Sequence, residues 1–599
     1  MSAFATLVQG IAYWAERQPH KPATHGLVRG EWVTHTWAEH WEAVQAVGRA
    51  LIALGMQPDD PVAMVGPNRM EWAQCQFGIQ AAAGLPVPLY ATSSLAQLAY
   101  ILRQTGAQIL VCGSDELLRR FLAAEQSGDI PRFRHVIALE PPSSDDERVV
   151  AYAEFLQRGR ELGGEQLNSR IAGRSPRALT QLIYTSGTTG EPKGVMIDDA
   201  GQLAVLEGLV ERFPTFQERP YRVVSYLPLS HQAEQLVTNV GTVRMGGEVY
   251  FCPEIGAVRD ALAVARPTLF LAVPRVWEKF EAALKGRLAS QRGIAKWLTA
   301  AATRIEYAGF ERDRQRGSTQ YSLPRRLSRK LVIDKVRAGL GLDQLEVAFA
   351  GSAPTDVETL RFFARLGIPI YEGYGLTETS GVATFNVYGR PQPGTVGPAL
   401  PGVELRLGDD GEVLLRGKNN TQGYYQNPAA TAELYTEDGF LRTGDLGEVA
   451  ADGSLSITGR KKELIITAGG KNVAPVEIEQ LINRLPGVGQ SMVIGDRKPY
   501  LCALVTLDPE QLHALAAAAG VSPRPLGEMA QDPAVQAALW AQIDSDCNSQ
   551  LARYQTIKKI QLLPREFAVD DGELTPSLKL RRREISARYE TEIAALYAG

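Results

Sequence analysis

A loop rich in glycine, serine and threonine carries the clearest chemical signal in this chain of 599 residues. It reads YTSGTTGEPKG from Tyr184 to Gly194 and follows the apolar run LTQLI. Glycine lets backbone N–H groups approach a ligand, hydroxyls add donors, and Lys193 adds a positive charge, so the loop suits phosphate oxygens. The sequence predicts a polyphosphate cradle formed by Ser186, Gly187, Thr188, Thr189, Gly190 and Lys193.

Two other interpretations of this loop have to be weighed. A P-loop requires G-x-x-x-x-G-K-[ST], whereas here Lys193 stands three residues after Gly190 and is followed by Gly194, so the pattern fails. Taken alone, a segment rich in glycine and threonine is also typical of a surface turn. The loop does not stand alone, however, because further motifs follow it.

Four motifs downstream of the loop point to a family. They are YEGYGLTET at 371–379, RTGDL at 442–446, GRKKE at 459–463 and TPSLKLR at 575–581. Together with the loop, and in the same order, they resemble the motifs of the acyl-adenylate-forming superfamily. The segments VPRVWEK at 273–279 and DKVR at 334–337, with the TPSLK ending, resemble the long-chain fatty acyl-CoA synthetase branch. The resemblance covers nearly the whole chain.

The resemblance implies an enzyme, a long-chain fatty acid CoA ligase that uses ATP and Mg²⁺. A fatty acid carboxylate attacks the α-phosphate of ATP to give acyl-AMP and pyrophosphate, and the thiol of CoA then displaces AMP. In the first step one anion approaches another, so catalysis depends on positioning and on neutralising charge. The implied partners are therefore fatty acid, ATP and CoA.

The family also implies roles for individual residues in the first step. Thr185 and Glu378 match the magnesium ligands, an oxygen-only set that suits this hard ion. Lys579 matches the mobile lysine that bridges the substrate carboxylate and the α-phosphate, with Lys193 as a second cation. Many members have glycine directly before the lysine that matches Lys579. Leu578 stands at that position here, as is common in the long-chain branch.

An adenosine site is implied by three matched segments. The segment AGSAPT would enclose the base, with the ring of Tyr374 stacked on it, and Asp445 would accept hydrogen bonds from the ribose hydroxyls. Asp445 has a plainer interpretation as a turn aspartate beside Gly444, and Arg460 as a linker charge. The implied nucleotide-binding residues are Gly351, Ser352, Ala353, Tyr374, Gly375, Thr377, Asp445 and Arg460.

The segment PLSHQAEQ and the apolar stretch after it match the acyl site of the family. His231 would lie near the acyl carboxylate, either in proton transfer or, as we favour, as part of the wall. An acyl tunnel that stabilises the chain by roughly 0.8 kcal/mol per buried CH₂ would set the chain-length preference. The implied acyl-binding residues are His231, Val237, Val240 and Gly375.

Thioester formation requires the thiol to approach where Lys579 acted, and the family achieves this by rotating its C-terminal domain. Lys462 occupies the hinge position, and hinge residues need not touch substrate to matter. Rotation would bring Ala468 and Gly469 to the pantetheine arm of CoA, where small side chains permit a close approach.

The elements that must position these residues follow an alternating pattern. From residue 37 to about 115, and again near 221–275 and 344–375, helical periodicity alternates with short apolar runs, which predicts βα units and parallel sheets. From 395 to 458 short strands with Gly and Asp turns predict a small antiparallel sheet or barrel.

With the resemblance, these patterns predict the fold class and the domains. We expect an α/β fold with a large N-terminal domain of two doubly wound αβα subdomains plus a small distorted β-barrel, and a smaller mobile α+β C-terminal domain. The predicted boundary gives 1–459 for ATP, magnesium and acyl binding, and 460–599 for the domain with Lys579.

Composition excludes several other classes of protein. Lys plus Arg number 63 and Asp plus Glu 67, a net charge of −4, so no overall positive field favours nucleic acid. The five cysteines include no Cys-x-x-Cys pair, and the start of the chain lacks the pattern of a secretory signal. We expect a cytoplasmic protein in a reducing compartment.

Two segments bear on membranes. Residues 72–102 carry no Asp, Glu, Lys, Arg or His, but Pro86 and Pro88 predict a buried helix, a short strand and another helix instead of a span. Residues 285–337 contain 14 basic and 4 acidic residues. They are either a solvated helical pair packed on the main body or a surface that contacts an anionic membrane peripherally.

Three alternatives to the CoA ligase remain open at this stage. The enzyme could adenylate an acid for another acceptor such as a carrier protein, although only 20 residues follow Lys579. It could also take an aryl or short-chain acid. A non-catalytic nucleotide- or acyl-binding regulator is disfavoured because Lys579, Glu378 and Asp445 are all present. The oligomeric state stays open.

Overall fold

The computed structural model describes residues 3–185, 191–317, 320–569, 571–575 and 579–598. The chain divides into two compact units. The N-terminal unit comprises Met1–Arg406, Leu414–Arg442 and Val449–Ser456, and the C-terminal unit comprises Leu407–Val413, Thr443–Glu448 and Ile457–Gly599.

The strands begin and end as follows: β1 (Pro22–Val28), β2 (Glu31–Thr36), β3 (Pro61–Val65), β4 (Leu85–Leu89), β5 (Ile109–Cys112), β6 (His135–Ala138), β7 (Val149–Ala151), β8 (Leu179–Thr185), β9 (Lys193–Asp198), β10 (Arg222–Ser225), β11 (Glu248–Phe251), β12 (Leu269–Ala272), β13 (Val347–Ala350), β14 (Ile370–Leu376), β15 (Gly381–Phe385), β16 (Val403–Leu407), β17 (Glu412–Gly417), β18 (Leu441–Val449), β19 (Leu455–Arg460), β20 (Ile465–Ile466), β21 (Asn472–Val473), β22 (Val488–Ile494), β23 (Leu501–Leu507) and β24 (Ile557–Leu562).

The α-helices are α1 (Leu7–Arg17), α2 (Trp37–Ala53), α3 (Met70–Ala81), α4 (Leu95–Thr105), α5 (Asp115–Gln126), α6 (Tyr152–Arg160), α7 (Glu165–Gly173), α8 (Asp199–Arg212), α9 (Thr215–Glu218), α10 (Gln232–Gln235), α11 (Thr242–Met245), α12 (Val258–Ala265), α13 (Pro274–Ala289), α14 (Gly293–Arg316), α15 (Leu323–Ser328), α16 (Asp334–Gly339), α17 (Val357–Arg365), α18 (Pro428–Leu434), α19 (Pro475–Asn483), α20 (Leu512–Ala519), α21 (Leu526–Gln531), α22 (Pro533–Gln542), α23 (Arg582–Arg588) and α24 (Glu590–Tyr597).

The first large sheet has the order β4-β3-β5-β6-β7, and its paired strands all run parallel. Its inner strands are short apolar runs, as expected for strands with helices on both faces. The helices between them start at strong signals: Thr36 forms a capping box with Glu39 before α2, and Ser94 forms one with Gln97 before α4. The predicted βα alternation of residues 37–115 is confirmed.

The charge-free stretch 72–102 contains the end of α3, all of β4 and the start of α4, as predicted. Within the described ranges, no helix is long and apolar enough to cross a membrane.

The second large sheet of the N-terminal unit combines two sets of strands, β10-β11-β1-β2 and β12-β13-β14-β15. The backbone N–H of Thr268 donates to the carbonyl of Arg222, which places the start of β12 beside β10. Pairs β12–β13 and β13–β14 are parallel, and β14–β15 is antiparallel. The α/β fold class with two large sheets is confirmed, because both regions of alternation at 221–275 and 344–375 form strands and helices here.

Two smaller sheets lie later in the chain. Strands β16, β17, β18 and β19 are neighbours in that order, in the region where short strands were predicted. In the C-terminal unit β22 pairs antiparallel with β23, and β23 pairs parallel with β24. Helices α19, α20 and α22 contribute apolar side chains to the core of this sheet, which gives an α+β unit. The exact domain boundary at 459/460 stays a prediction.

Candidate active site

The two ends of the glycine-rich loop are fixed by a pair of antiparallel strands. Thr185 ends β8 and lies opposite Lys193, which begins β9. The hydroxyl of Thr185 donates to the carbonyl of Lys193 at 3.5 Å. The predicted phosphate-contacting residues Ser186, Gly187, Thr188, Thr189 and Gly190 lie outside the described residues.

Tyr424 connects Lys193 to Glu378. The Lys193 Nζ atom lies 4.8 Å from the centroid of the Tyr424 ring, and the Tyr424 hydroxyl donates to Glu378 Oε1 at 2.8 Å. This occurs because residues 423–425 run beside β9: Met196 N–H donates to the carbonyl of Gly423 at 3.1 Å. Tyr424 could not be found from the sequence, since nothing in its own segment links it to residues so distant in the chain.

Glu378 is held by a short 3-10 helix at the end of β14. Residues Thr377–Thr379 form this turn, the backbone N–H of Leu376 donates to the Thr379 hydroxyl at 2.9 Å, and the N–H of Thr421 donates to the Glu378 carbonyl at 2.8 Å. The backbone of Glu378 is therefore fixed from both sides of the turn, and its side chain is half-buried.

The donor set fits magnesium bound mainly by its substrate. Across the part of the chain that the structure describes, no three His, Cys, Asp or Glu side chains gather into a metal cluster. Thr185 and Glu378 supply a hydroxyl and a carboxylate on connected elements. Magnesium is commonly held by one or two carboxylates together with waters and substrate phosphates, so this sparse set of oxygen atoms suits it.

The predicted adenine-binding residues lie at the carboxyl ends of two adjacent parallel strands. Ala350 is paired with Glu372, so the Gly351–Ala353 segment after β13 and Tyr374 in β14 come to the same edge of the sheet. Such an edge is where open α/β sheets bind ligands. Ser352 has a positive φ of 71°, a conformation that turns the chain sharply after the strand.

Gly375 has a packing reason for its identity in addition to its predicted role. A Cβ atom at this position would lie 1.8 Å from the carbonyl oxygen of Gly381. Strand β15 therefore approaches β14 so closely that only glycine fits there.

His231 caps the short helix α10. Its Nδ1 accepts the backbone N–H of Ala233 at 3.2 Å, which leaves Nε2 as the protonated nitrogen of the neutral ring. The neighbouring Glu234 points into the core, where Thr238 donates to it at 2.7 Å. Burial raises the pKa of Glu234 to about 7.

A π-helical turn at Leu236–Gly241 follows α10 and carries both predicted acyl-binding valines. Val237 lines an apolar cavity, whereas Val240 is buried in the surrounding core. The walls of the cavity come from α8, β12, β13 and their neighbours, and include Leu206, Phe213, Tyr221, Leu236, Val237 and Phe349. The lining is almost entirely apolar, which suits an alkyl chain better than a polar group. The cavity volume is only about 20 Å³, room for about one water molecule, so a fatty acyl chain could enter only if these side chains moved apart.

In the C-terminal unit, Asp445 and Arg460 form an ion pair. The distance from Arg460 Nε to Asp445 Oδ1 is 3.1 Å, and the carboxylate side chain is only 10% exposed. The charges of Asp445, Arg460 and Glu463 are all near enough to act on the ammonium of Lys579. This unit therefore gathers the predicted ribose, nucleotide and adenylation residues.

The predicted hinge and CoA residues are exposed. Lys462 belongs to a 3-10 turn at Lys461–Glu463. Ala468 and Gly469 lie in the tight connection between β20 and β21, where a Cβ on Gly469 would meet only the Thr467 hydroxyl, at 3.9 Å. The exposed connection has room for a ligand beside it.

Two family models match this sequence and together cover most of it. Residues 11–425 match the AMP-binding enzyme model, and residues 462–599 match the model of the AMP-binding enzyme C-terminal domain. The chain belongs to the AMP-binding enzyme family. Both parts of this family are present, in the order that the motifs predicted.

Curated relatives of this AMP-binding enzyme include bacterial and animal proteins. Long-chain-fatty-acid–CoA ligase FadD15 of Mycobacterium tuberculosis is 34% identical over 95% of this chain and 93% of its own length. Long-chain-fatty-acid–CoA ligase ACSBG2 of Homo sapiens is 32% identical over 95% of this chain and 88% of its own length. The predicted family is thus confirmed, and so is the predicted resemblance to its long-chain branch.

Solved structures support the fold. The adenylation domain of the carboxylate reductase from Mycobacterium chelonae matches with a TM-score of 0.76 at 23% identity, covering 99% of this chain and 91% of that one. The anthranilate CoA ligase AuaEII in complex with anthranoyl-AMP matches with a TM-score of 0.73 at 19% identity, covering 98% of each chain. At these identities the likeness concerns the fold alone.

Proposed function

We propose that this AMP-binding enzyme is a long-chain fatty acid CoA ligase that forms acyl-AMP and pyrophosphate from a fatty acid and ATP, and then acyl-CoA and AMP. The observation that carries the proposal is identity of 30–34% with several proteins named long-chain-fatty-acid–CoA ligases, which extends over 95% or more of this chain. The apolar lining of the small cavity beside α10 is consistent with an acyl substrate.

In the first half-reaction the N-terminal unit would hold the triphosphate. Residues Ser186–Gly190 and Lys193 would contact its oxygens, and Thr185 with Glu378 would bind Mg²⁺. The bound ion would neutralise charge on the phosphates. Tyr424 would position the Glu378 carboxylate through its 2.8 Å hydrogen bond and lie against the Lys193 ammonium. Gly351, Ser352, Ala353, Tyr374, Gly375 and Thr377 would enclose the adenosine.

Three residues of the C-terminal unit, Asp445, Arg460 and Lys579, would take the ribose, nucleotide and bridging-cation roles. Asp445 would accept hydrogen bonds from the ribose hydroxyls. For this, its ion pair with Arg460 would have to break, or one carboxylate oxygen would have to bind both Arg460 and the ribose. Arg460 would then contact the nucleotide. Lys579 would neutralise the carboxylate and α-phosphate as they meet.

For the second half-reaction we propose that the domain beginning at residue 460 rotates about Lys462. The exposed Ala468 and Gly469 would then meet the pantetheine arm of CoA. His231 would form part of the wall at the acyl carboxylate, with Nδ1 already used as an acceptor.

The acyl chain would extend along Val237 into the apolar cavity. We therefore expect Val237→Phe to shift the preference toward shorter acids, because the added ring occupies space that an alkyl chain needs. Each excluded CH₂ forfeits about 0.8 kcal/mol, so losing two would lower kcat/KM for the longest acids about 15-fold. Rates with octanoate, laurate and palmitate would measure this; an unchanged profile would remove Val237 from the acyl site. Val264→Phe, at an exposed position, is the control.

We also propose peripheral contact between the basic 285–337 region and an anionic membrane, at the inner face if the protein is cytoplasmic. On α14, Ile294 and Trp297 are 78% and 69% exposed; after α14, Leu323 and Leu327 are 81% and 57% exposed. Exposed basic residues flank both apolar faces: Lys285, Arg287, Arg292, Lys296, Arg326 and Lys330.

Lys285 pairs with Glu281 at 2.7 Å. The acidic residues within 285–337 are mostly used internally, which leaves the other five cations available to lipid phosphates. Arg325 pairs with Glu306 at 2.9 Å and also with Asp313, all three being buried. Tryptophan beside lysine and arginine is typical of a surface that enters the headgroup layer, where each cation adds about 1 kcal/mol.

We expect the wild-type protein to bind vesicles of phosphatidylcholine with phosphatidylglycerol, and not vesicles of phosphatidylcholine alone, in a sedimentation assay. Removing two cations, as in Lys296→Gln with Lys330→Gln, should weaken binding about 30-fold. Trp297→Ala should weaken it as well. Equal binding to both vesicle types, or none, would favour a solvated helical pair instead.

The experiment that tests the main proposal is detection of palmitoyl-CoA formed from palmitate, ATP, Mg²⁺ and CoA. Release of pyrophosphate without any CoA thioester would instead indicate another acceptor, such as a carrier protein.

A further inference from the structure

The segment that carries Lys579 is closed at its base by a short antiparallel contact. Leu574 forms a β-bridge with Leu580, and Thr575 N–H donates to the Lys579 carbonyl at 2.8 Å. The Thr575 hydroxyl accepts the N–H of Lys579 at 3.0 Å, and the N–H of Arg581 donates to the Glu573 carbonyl at 2.8 Å. The backbone of the lysine is therefore fixed relative to residue 573.

Glu573 is a fully buried carboxylate at the base of this contact, with 0% exposure. Arg565 donates to both of its oxygens, at 2.7 and 2.8 Å. Ala568 N–H donates to Oε2 at 3.0 Å, and Arg588 and the Tyr589 hydroxyl donate to Oε1 at 3.2 and 3.1 Å. Five donated bonds leave this carboxylate one orientation.

The ionised form of Glu573 is the one that this arrangement stabilises. Burial acts to raise its pKa, but hydrogen bonds from Arg565 and Ala568 outweigh burial and hold the pKa below its ordinary value. A buried charge bonded in this way is expensive to disturb, because its partners would be left unpaired.

A second contact holds the other side of the same segment. Arg582, three residues after Lys579, makes a bidentate pair with Glu479 of α19, with both distances 2.6 Å. It also contacts Glu463 at 3.4 Å, in the turn that contains the predicted hinge residue Lys462. The segment with Lys579 is thus held on one side by Glu573 and on the other by Arg582, which also contacts the hinge turn.

We infer that Glu573 is a positioning residue for Lys579, which fixes the base of the lysine segment so that the ammonium reaches the reacting carboxylate and α-phosphate. The inference rests on the proposed ligase function. It predicts a defect confined to the first half-reaction, because the CoA thiol attacks only after the lysine has finished its work. A misplacement of about 1 Å at a reacting group can lower a rate about 100-fold.

Glu573→Gln keeps the size of the side chain and removes the charge that Arg565 and Arg588 require. We expect palmitoyl-AMP formation, measured as pyrophosphate release, to fall 10- to 100-fold, roughly in line with such a misplacement. Conversion of supplied palmitoyl-AMP and CoA to palmitoyl-CoA should change less than twofold. Glu584→Gln changes an exposed carboxylate that pairs with Arg581 at 3.4 Å. It is the matched control and should leave both rates unchanged.

A double-mutant cycle separates positioning from general damage. In a Lys579→Ala background, Glu573→Gln should have no further effect on the residual first step, since the residue through which it acts is absent. If Glu573→Gln lowered both half-reactions equally, or lowered the first step by the same factor without Lys579, the positioning role would be refuted.

Arg565→Lys provides a second variant in case Glu573→Gln does not fold, because it keeps the charge and loses the bidentate geometry. It should give a smaller defect of the same kind, and a circular dichroism melt checks that it is folded. A wild-type protein that makes no acyl-AMP would overturn the ligase proposal itself, whereas an active wild type with unaffected variants would overturn only the role of Glu573.

Discussion

Lys579→Ala is expected to reduce acyl-AMP formation by roughly 100-fold or more while sparing thioester formation from supplied acyl-AMP. In the proposed mechanism the ammonium acts where two anions meet, and removing one such preorganised group commonly lowers the rate by a factor of 10²–10³. Pyrophosphate release reports the first half-reaction, and palmitoyl-CoA made from palmitoyl-AMP and CoA reports the second.

The control for this substitution is Lys558→Ala, which removes an exposed lysine of the same unit from β24. It should leave both half-reactions intact. Equal losses of both half-reactions in Lys579→Ala would contradict the assigned role, because the thiol step needs no cation between the carboxylate and the α-phosphate.

Glu378→Gln is expected to have a comparable effect through magnesium. The amide keeps the shape of the side chain and an oxygen for the Tyr424 hydroxyl, but a neutral oxygen binds a hard divalent cation more weakly. The ion supplies several kcal/mol of charge stabilisation, so the first half-reaction should slow by about 100-fold and require more Mg²⁺ for half-maximal rate. A magnesium titration of pyrophosphate release measures both quantities.

Tyr424→Phe is the matched companion to that variant. It removes the hydroxyl that donates to Glu378 at 2.8 Å and retains the ring against Lys193. Since a hydrogen bond to a charged group is worth at least about 1.5 kcal/mol, the loss should be about 10-fold or more. It should not exceed the roughly 100-fold loss expected for Glu378→Gln. An unchanged magnesium requirement in Glu378→Gln would exclude this carboxylate as a ligand.

The alternating elements could be predicted from the sequence because their signals are local. The apolar runs PVAMV and ILVC, each closed by glycine, become β3 and β5. The same signals identified residues 72–102 as helix, strand and helix instead of a membrane span. The order of strands in the sheets could not be predicted from such local signals, because it depends on pairings such as β1 with β11 that join distant segments.

The candidate site was predictable only where a motif carries it. Glu378 and Lys579 were found from their motifs, yet neither Tyr424 nor Glu573 was, because each acts through contacts between segments. Tyr424 reaches Glu378 only after residues 423–425 align beside β9. Glu573 looks like an ordinary surface carboxylate in the sequence, and its complete burial arises from the arginines that fold around it.

The motif-based residue roles stay predictions. The most direct test of the proposed ligase function is a pyrophosphate-release assay with ATP and Mg²⁺. It would use acids from acetate to stearate, and benzoate, each with and without CoA. We expect release that is greatest with long chains, continues through many turnovers only when CoA is present, and disappears in Lys579→Ala. Release that CoA does not accelerate, or no release with any acid, would contradict the proposed function.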